Sequence, residues 1–82
     1  MTSEAYEYHM TYALDDITQE VINAKEKHPG DFKNYHEAYA VILEEMDELW
    51  DEIRKKDHNK NNIRYEATQT AAMLVRLITE LT

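Results

Sequence analysis

Strong helix breakers occur at only one place in this chain of 82 residues. Its single proline and its single glycine are adjacent, at Pro29 and Gly30. Proline ends a preceding helix because it lacks an amide hydrogen, glycine accommodates the turn that follows, and Asp31 is well placed to cap the next helix. A softer break is the polar run 57–62, which contains three asparagines. The predicted helical segments are therefore roughly 3–27, 33–57 and 62–81.

Apolar residues recur at helical spacing in all three segments, and no segment shows the alternation of a strand. The predicted buried seams are Tyr6, Met10, Ala13, Ile17, Val21 and Ala24, then Tyr35, Tyr39, Ile42, Met46, Leu49 and Ile53, then Ile63, Ala67, Leu74, Leu77, Ile78 and Leu81. The sequence thus predicts an all-α bundle of three long helices in one domain, residues 1–82. Because a domain this short buries only roughly 60–65% of its unfolded surface, we expect a dimer or tetramer to complete a four-helix-type core.

Charge and composition exclude several classes of protein. The chain has 17 acidic and 9 basic residues, a net charge of -8, so it lacks the basic face of a nucleic-acid or anionic-lipid binder. Without cysteine it has no disulfide framework, zinc finger or thiol nucleophile. One glycine cannot build a Rossmann or P-loop phosphate site. No apolar run is long enough to cross a membrane and no signal-peptide pattern begins the chain, so we expect a cytoplasmic location.

Six of the nine residues from 44 to 52 are acidic. At about 100° per residue they separate into two groups on the helix. Those beside the predicted seam are Glu45, Glu48 and Glu52, and those facing solvent are Glu44, Asp47 and Asp51. Crowded, partly desolvated carboxylates raise one another's pKa values or take up a cation, and Mg²⁺ prefers such oxygen ligands. A solvated acidic face, neutralised by Lys55 or Lys56 one turn away, is the simpler alternative.

The third segment carries a second pair of polar residues beside its apolar stripe. Glu66 and Gln69 are three residues apart and therefore share one side of the helix. Two antiparallel helices that offer acids to a common gap are a recognised way of building a metal site in a bundle. Trp50 lies on the flank opposite the acid ridge, so we interpret it as an anchor in an interface or core.

The two acidic motifs together resemble those of a known family. Residues 44–48, EEMDE, match the EExxE signature of the MazG-like, all-α nucleoside triphosphate pyrophosphohydrolases. Residues 66–69, EATQ, stand where that family has its second motif, ExxD, and the 17 residues between Glu48 and Glu66 suit the family spacing. The chain looks like a small phage- or bacterial-type branch of the superfamily, and the resemblance covers roughly residues 30–80.

The resemblance implies hydrolysis of a nucleoside or deoxynucleoside triphosphate to the monophosphate and pyrophosphate, by a dimer or tetramer that uses Mg²⁺ or Mn²⁺. It implies that Glu45, Glu48 and Glu66 are metal ligands and that Glu44 is an accessory ligand or outer acid. A carboxylate in the first motif that the metal does not consume would take the proton of the attacking water. Gln69 departs from the family aspartate, which predicts weaker metal binding and weakened activity.

Three basic residues after the acidic run are candidates for the triphosphate tail. They are Lys55, Lys56 and Arg64, and the alternative is that they favour a helix C-terminus. Two other functions stay open. One is a non-catalytic helical interaction protein that keeps the fold but not the chemistry, and the other is an acidic regulator that binds a basic partner through Glu44, Asp47 and Asp51.

Overall fold

A computed structural model describes residues 1–82 and contains three α-helices and no strand. Helix α1 is Ser3–Lys27, α2 is Tyr35–Ile53 and α3 is Lys60–Leu81. The predicted all-α bundle of three helices is confirmed. Helix α2 ends four residues before the predicted boundary, and α3 begins two residues earlier. None of the three combines the length and the apolarity that crossing a bilayer requires.

Each helix begins at a polar cap, as helix N-termini need. The side-chain oxygens of Thr2, Asn34 and Asn59 accept hydrogen bonds from backbone amides in the first turns of α1, α2 and α3. The predicted cap of α2, Asp31, is wrong. Its carboxylate instead accepts a hydrogen bond from Lys25 Nζ at 2.7 Å, because the chain runs on in a loop and α2 starts only at residue 35.

Helix α3 lies between the other two helices, and α1 and α2 do not pack on each other. Tyr35 at the start of α2 donates a hydrogen bond to the backbone oxygen of Leu81 at the end of α3, so these helices are antiparallel. Arg64 near the start of α3 pairs with Asp16 in the middle of α1. Farther along both helices, Lys25 lies 3.6 Å from Glu80, so α1 and α3 are parallel.

The hydrophobic core is thin. Only six of 82 residues are buried, and no large side chain is completely buried. The buried apolar residues are Phe32, Ala38, Ala72 and Met73. Half-buried apolar side chains from all three helices surround them. A single chain therefore buries much less apolar surface than its apolar content would allow.

The predicted seams are only partly the buried faces. In α2, Ile42 and Leu49 are half-buried, but Tyr35, Tyr39, Met46 and Ile53 are exposed. The side of α2 that packs on α3 carries Ala38, Val41 and Glu45, so the helix is rotated toward the acid ridge. The predicted seams of the other two helices also include exposed residues. These are Tyr6 and Met10 in α1, and Ala67, Leu74 and Ile78 in α3. Each helix has more apolar surface than its neighbours in the chain can cover.

A buried ion pair holds the loop between α1 and α2 against α3. Arg76 Nε donates to Glu80 Oε2 at 2.8 Å, and both side chains are only 7% exposed. The Arg76 guanidinium lies 4.3 Å from the centre of the Phe32 ring and donates to the backbone oxygen of Gly30. The Phe32 amide donates to Glu80 Oε1 at 2.7 Å. These contacts bury Phe32, so the loop joins the core.

Candidate functional site: an acid cluster between α2 and α3

Three carboxylates meet where α2 passes α3. Glu45 and Glu48 lie one turn apart on α2, and Glu66 faces them from α3. One oxygen of each carboxylate lies within 4.8 Å of one oxygen of each of the others. The antiparallel packing produces this meeting, because it brings the middle of α2 beside the first half of α3.

The environment of Glu66 disfavours its negative charge. Its Oε2 atom is buried and has no hydrogen-bond partner. Burial, and next the carboxylate of Glu48, raise the pKa of Glu66 above its ordinary value. A buried carboxylate oxygen without a donor is costly, so this atom marks a place where the folded chain favours a proton or a cation.

The environment of Glu45 also disfavours its negative charge. Burial is the main cause that raises its pKa, followed by the negative charges of Glu48, Glu66 and Glu44. Glu48 is the more exposed member of the cluster and is the leading charged neighbour of both other carboxylates. The cluster therefore concentrates negative charge in a place that is partly closed to water, with one member at the opening.

Glu52 lies at the margin of the cluster. Its negative charge contributes to the raised pKa of Glu66, and its side chain is only 16% exposed. However, Lys55 Nζ lies 2.6 Å from Glu52 Oε2, so this carboxylate already has a counter-ion. The pairing is the one that the solvated-face alternative expects, and it involves Glu52 rather than the three clustered acids.

Gln69 is half-buried one turn after Glu66, and its side-chain amide makes no hydrogen bond. With Glu45 it lines a cavity of about 440 Å³ between the three helices. Most of the residues that line the cavity are polar or charged, and its wall includes His28, Arg76 and Phe32. A cavity of this size falls in the range of small-molecule sites, and it opens directly beside the acid cluster.

The remaining predicted site residues lie outside the cluster. Glu44 is exposed and is not one of the three clustered acids, but its charge contributes to the raised pKa of Glu45. Arg64 pairs with Asp16 at 2.8 Å, and Lys56 is exposed and makes no ion pair. With Lys55 bound to Glu52, two of the three predicted phosphate ligands already have acidic partners.

Sequence reasoning missed Arg76, which contributes to both the loop contacts and the cavity wall. One signal was available, since Arg76 is the charged residue inside the apolar run from Met73 to Ile78. A charge at such a position is either exposed by helix rotation or buried against a partner. The i,i+4 spacing offered Glu80 as that partner, but nothing in the local sequence identified the loop more than 40 residues away.

Comparison with known proteins finds no matching protein-family model, no matching curated protein and no matching solved structure. The geometry and the charge of the acid cluster are therefore the observations on which a function must be argued.

Proposed function

We propose that the chain is a Mg²⁺-dependent nucleoside triphosphate pyrophosphohydrolase whose site is the acid cluster of Glu45, Glu48 and Glu66. The observation that carries the proposal is the buried, unpartnered Oε2 of Glu66, which lies in a group of three carboxylates within 4.8 Å of one another. The MazG-like pattern of the two motifs supplies the reaction: a triphosphate is cleaved to the monophosphate and pyrophosphate.

The chemistry of the ligand set fits Mg²⁺ or Mn²⁺. All candidate ligands are carboxylate oxygens, to which Gln69 can add an amide oxygen, and such hard ligands suit these ions. Three adjacent carboxylates, of which Glu45 and Glu66 have raised pKa values, give a cation an advantage that a single surface acid does not have. The bound ion would supply positive charge against the phosphates and would lower the pKa of a bound water.

The residues then have distinct roles. Glu45 and Glu66, which are half-buried, would hold the ion. Glu48 is the exposed member of the cluster. There its carboxylate could also bind the ion, and it could accept the proton of a water that attacks the α-phosphorus. The bond between the α-phosphorus and its bridging oxygen breaks, and pyrophosphate leaves. Glu44 increases the local negative charge from outside the cluster.

The surroundings offer room and positive charge for a substrate. The cavity of about 440 Å³ beside Glu45 can take the nucleoside, which would place the triphosphate over the acids. Lys56 has no ion-pair partner, and Lys55 and Arg64 would exchange an acidic partner for phosphate. The exchange at Arg64 costs little, because its pair with Asp16 is half exposed and exposed ion pairs contribute less than about 1 kcal/mol.

Pyrophosphate release tests the proposal directly. A panel of standard, deoxy and modified nucleoside triphosphates is incubated with the chain and Mg²⁺ or Mn²⁺. We expect release that needs metal and is lost in Glu48→Gln. Asp47→Asn is the matched control, because it removes an acid from the neighbouring, solvent-facing position and should keep activity. Metal-independent release, or equal loss in both variants, would contradict the proposal.

A non-catalytic helical interaction protein is the second candidate. Gln69 favours it, because the site has one anion fewer than the family motif, and so do the many exposed apolar side chains. Millimolar Mg²⁺ distinguishes the two. Binding to the folded state raises the melting temperature by mass action, so the enzyme should be stabilised and the interaction protein should be unaffected.

A further inference from the structure

One acid in the wall of the cavity beside the acid cluster has no partner within the chain. Four acidic side chains line this cavity of about 440 Å³, and they are Glu20, Asp31, Glu37 and Glu45. Asp31 and Glu37 accept hydrogen bonds from other residues of the chain, and Glu45 belongs to the acid cluster. Glu20 is half-buried on α1 and makes neither a hydrogen bond nor an ion pair. Its two carboxylate oxygens are therefore free to accept hydrogen bonds from a ligand in the cavity.

Gln69 lies across from Glu20, on α3. Helices α1 and α3 are parallel, and Asp16 pairs with Arg64 between them. Glu20 follows Asp16 by four residues and Gln69 follows Arg64 by five, so the two side chains stand at the same level. Both also line a neighbouring cavity of about 350 Å³ between α1 and α3, which places them where the two cavities meet. The Gln69 amide makes no hydrogen bond within the chain, so its nitrogen can donate to the same ligand.

The apolar part of the cavity wall suits the faces of a flat ring. Val41 of α2 and Met73 of α3 line the cavity, and both present aliphatic surface to it. Small-molecule sites combine such surface with a few polar groups that fix the orientation of the ligand. The free, half-buried polar groups outside the acid cluster are the two acceptor oxygens of Glu20 and the donor nitrogen of Gln69. They are complementary to a ligand that carries two donors beside an acceptor.

We propose that this cavity binds a guanine base and that Glu20 recognises it. The inference rests on the proposed function, which puts the nucleoside in the cavity and the triphosphate over the acid cluster. Guanine presents two adjacent donors, N1–H and the N2 amino group, next to the acceptor O6. The Glu20 carboxylate can accept from both donors, and the Gln69 amide can donate to O6. Because hydrogen bonds to an ionised acceptor are roughly twice as strong as neutral ones, Glu20 is the specificity-determining residue.

The other bases match Glu20 less well. On the same edge, adenine and cytosine place a single amino donor next to an acceptor nitrogen, and uracil and thymine place N3–H between two carbonyl oxygens. Against a carboxylate, each of these bases sets an acceptor opposite an acceptor, and polar groups left unpaired in a site reduce affinity. We therefore expect guanine to bind at least about tenfold more tightly than uracil.

Calorimetric binding of nucleoside monophosphates in Mg²⁺ tests base recognition without hydrolysis. We expect GMP to bind at least about tenfold more tightly than UMP, and inosine monophosphate, which lacks only the N2 amino group, to lie between them. Glu20→Gln should reverse the order of GMP and AMP, because an amide offers the donor and the acceptor that adenine requires. Glu26→Gln is the matched control and should keep the order, since Glu26 is an exposed acid of α1 that lines neither cavity.

The outcomes separate the guanine site from the proposed hydrolysis. Equal binding of the four bases, no binding of GMP, or a uniform loss of affinity in Glu20→Gln with the order unchanged would overturn the guanine site, even with pyrophosphate released from triphosphates. Selective binding of GMP that depends on Glu20, with no pyrophosphate released from GTP, would support the guanine site and overturn the proposed hydrolysis.

Discussion

Removing the charge of Glu48 should make the protein more stable in the absence of metal. Glu48 is the leading charged neighbour of both Glu45 and Glu66, and the three carboxylates lie within 4.8 Å. The variant Glu48→Gln keeps the size and polarity of the side chain but removes two like-charge contacts. The amide can also donate a hydrogen bond to a neighbouring carboxylate, which Glu48 cannot do when ionised.

The size of the effect follows from Coulomb's law. Like charges at this separation repel by about 1 kcal/mol at the dielectric constant of water and by about 3 kcal/mol at an effective value of about 20. Because Glu48 is exposed, the lower value applies, and two contacts give about 2 kcal/mol. Screening by salt reduces this to about 1 kcal/mol, which corresponds to a rise of about 4–8 °C in melting temperature for a domain this size.

The stability gained in Glu48→Gln should decrease as the pH falls. The folded-state pKa values of Glu45 and Glu66 are raised above their ordinary value of 4.5. The repulsion is therefore fully present above those raised values and disappears as pH falls toward 4.5, where both groups take up protons. The stability difference between Glu48→Gln and the unmodified chain should shrink over the same interval.

Thermal melts followed by circular dichroism at 222 nm, in chelator and then in Mg²⁺, provide the assay. Asp47→Asn serves as the control, because it also removes one acid from α2 but at a solvent-facing position. We expect Glu48→Gln alone to gain stability in chelator and to lose most of the response to Mg²⁺. A lower melting temperature in chelator, or a Mg²⁺ response equal to that of the unmodified chain, would refute the reasoning.

Three further predictions concern single residues around the site and the loop. Gln69→Asp should strengthen Mg²⁺ binding in calorimetry, because it adds an anion one turn after Glu66, the proposed ligand on α3. Glu80→Gln should cost about 3 kcal/mol of unfolding free energy in denaturant melts, since Arg76 would lose its buried partner. Arg64→Ala should cost less than about 1 kcal/mol, because its pair with Asp16 is half exposed. If Arg64 holds the phosphate tail, the Arg64→Ala variant should have a raised KM and an unchanged kcat.

Each of these predictions has an outcome that contradicts it. Unchanged or weaker Mg²⁺ binding in Gln69→Asp would mean that this position does not face the ion. Glu80→Gln should be compared with Glu26→Gln, an exposed acid without an ion pair, and equal stability would show that the loop contacts contribute nothing. Arg64→Ala should be compared with Arg54→Ala, and identical kinetics in the two variants would remove Arg64 from the substrate site.

The pH dependence of Glu80 has the opposite sign to that of the acid cluster. Its hydrogen bond from Arg76 is the main cause that lowers the pKa of Glu80, and the Phe32 amide acts in the same direction. Its contribution to stability is therefore present above the ordinary value of 4.5 and is lost as pH falls through the lowered pKa. In Glu80→Gln that acid-dependent loss should disappear from the stability profile.

Helical periodicity predicted the three helices because it depends on local spacing, which the breakers at Pro29 and Gly30 interrupt only once. It did not predict which face of α2 is buried. The seam was chosen by the spacing of large side chains, which favoured Tyr39, Met46 and Ile53, and these three residues are exposed. The small Ala38 can approach α3 closely, which a larger side chain in its place would prevent.

The acid cluster was accessible to sequence reasoning because its parts are local. Glu45 and Glu48 are a turn apart, and Glu66 required only that α2 and α3 be antiparallel, which a short connection favours. The pairing of Arg76 with Glu80 follows the i,i+4 spacing of a helix, but the contacts of Arg76 with Gly30 and Phe32 were not accessible, because they join α3 to a loop that lies 44–46 residues earlier in the chain. No spacing rule connects residues over that distance without the fold.

The ion pair of Arg76 and Glu80 affects the order in which the chain can fold during its synthesis. A chain synthesised from its N-terminus presents α1, the loop and α2 well before the last turns of α3 exist. Until position 80 has been added, the Phe32 amide has no acceptor, and the guanidinium of Arg76 would have to be buried without its carboxylate. The loop can therefore dock only after the last turns of α3 have been synthesised, and the apolar stripes of α1 and α2 stay uncovered until then. Such exposed stripes make a nascent chain prone to aggregation.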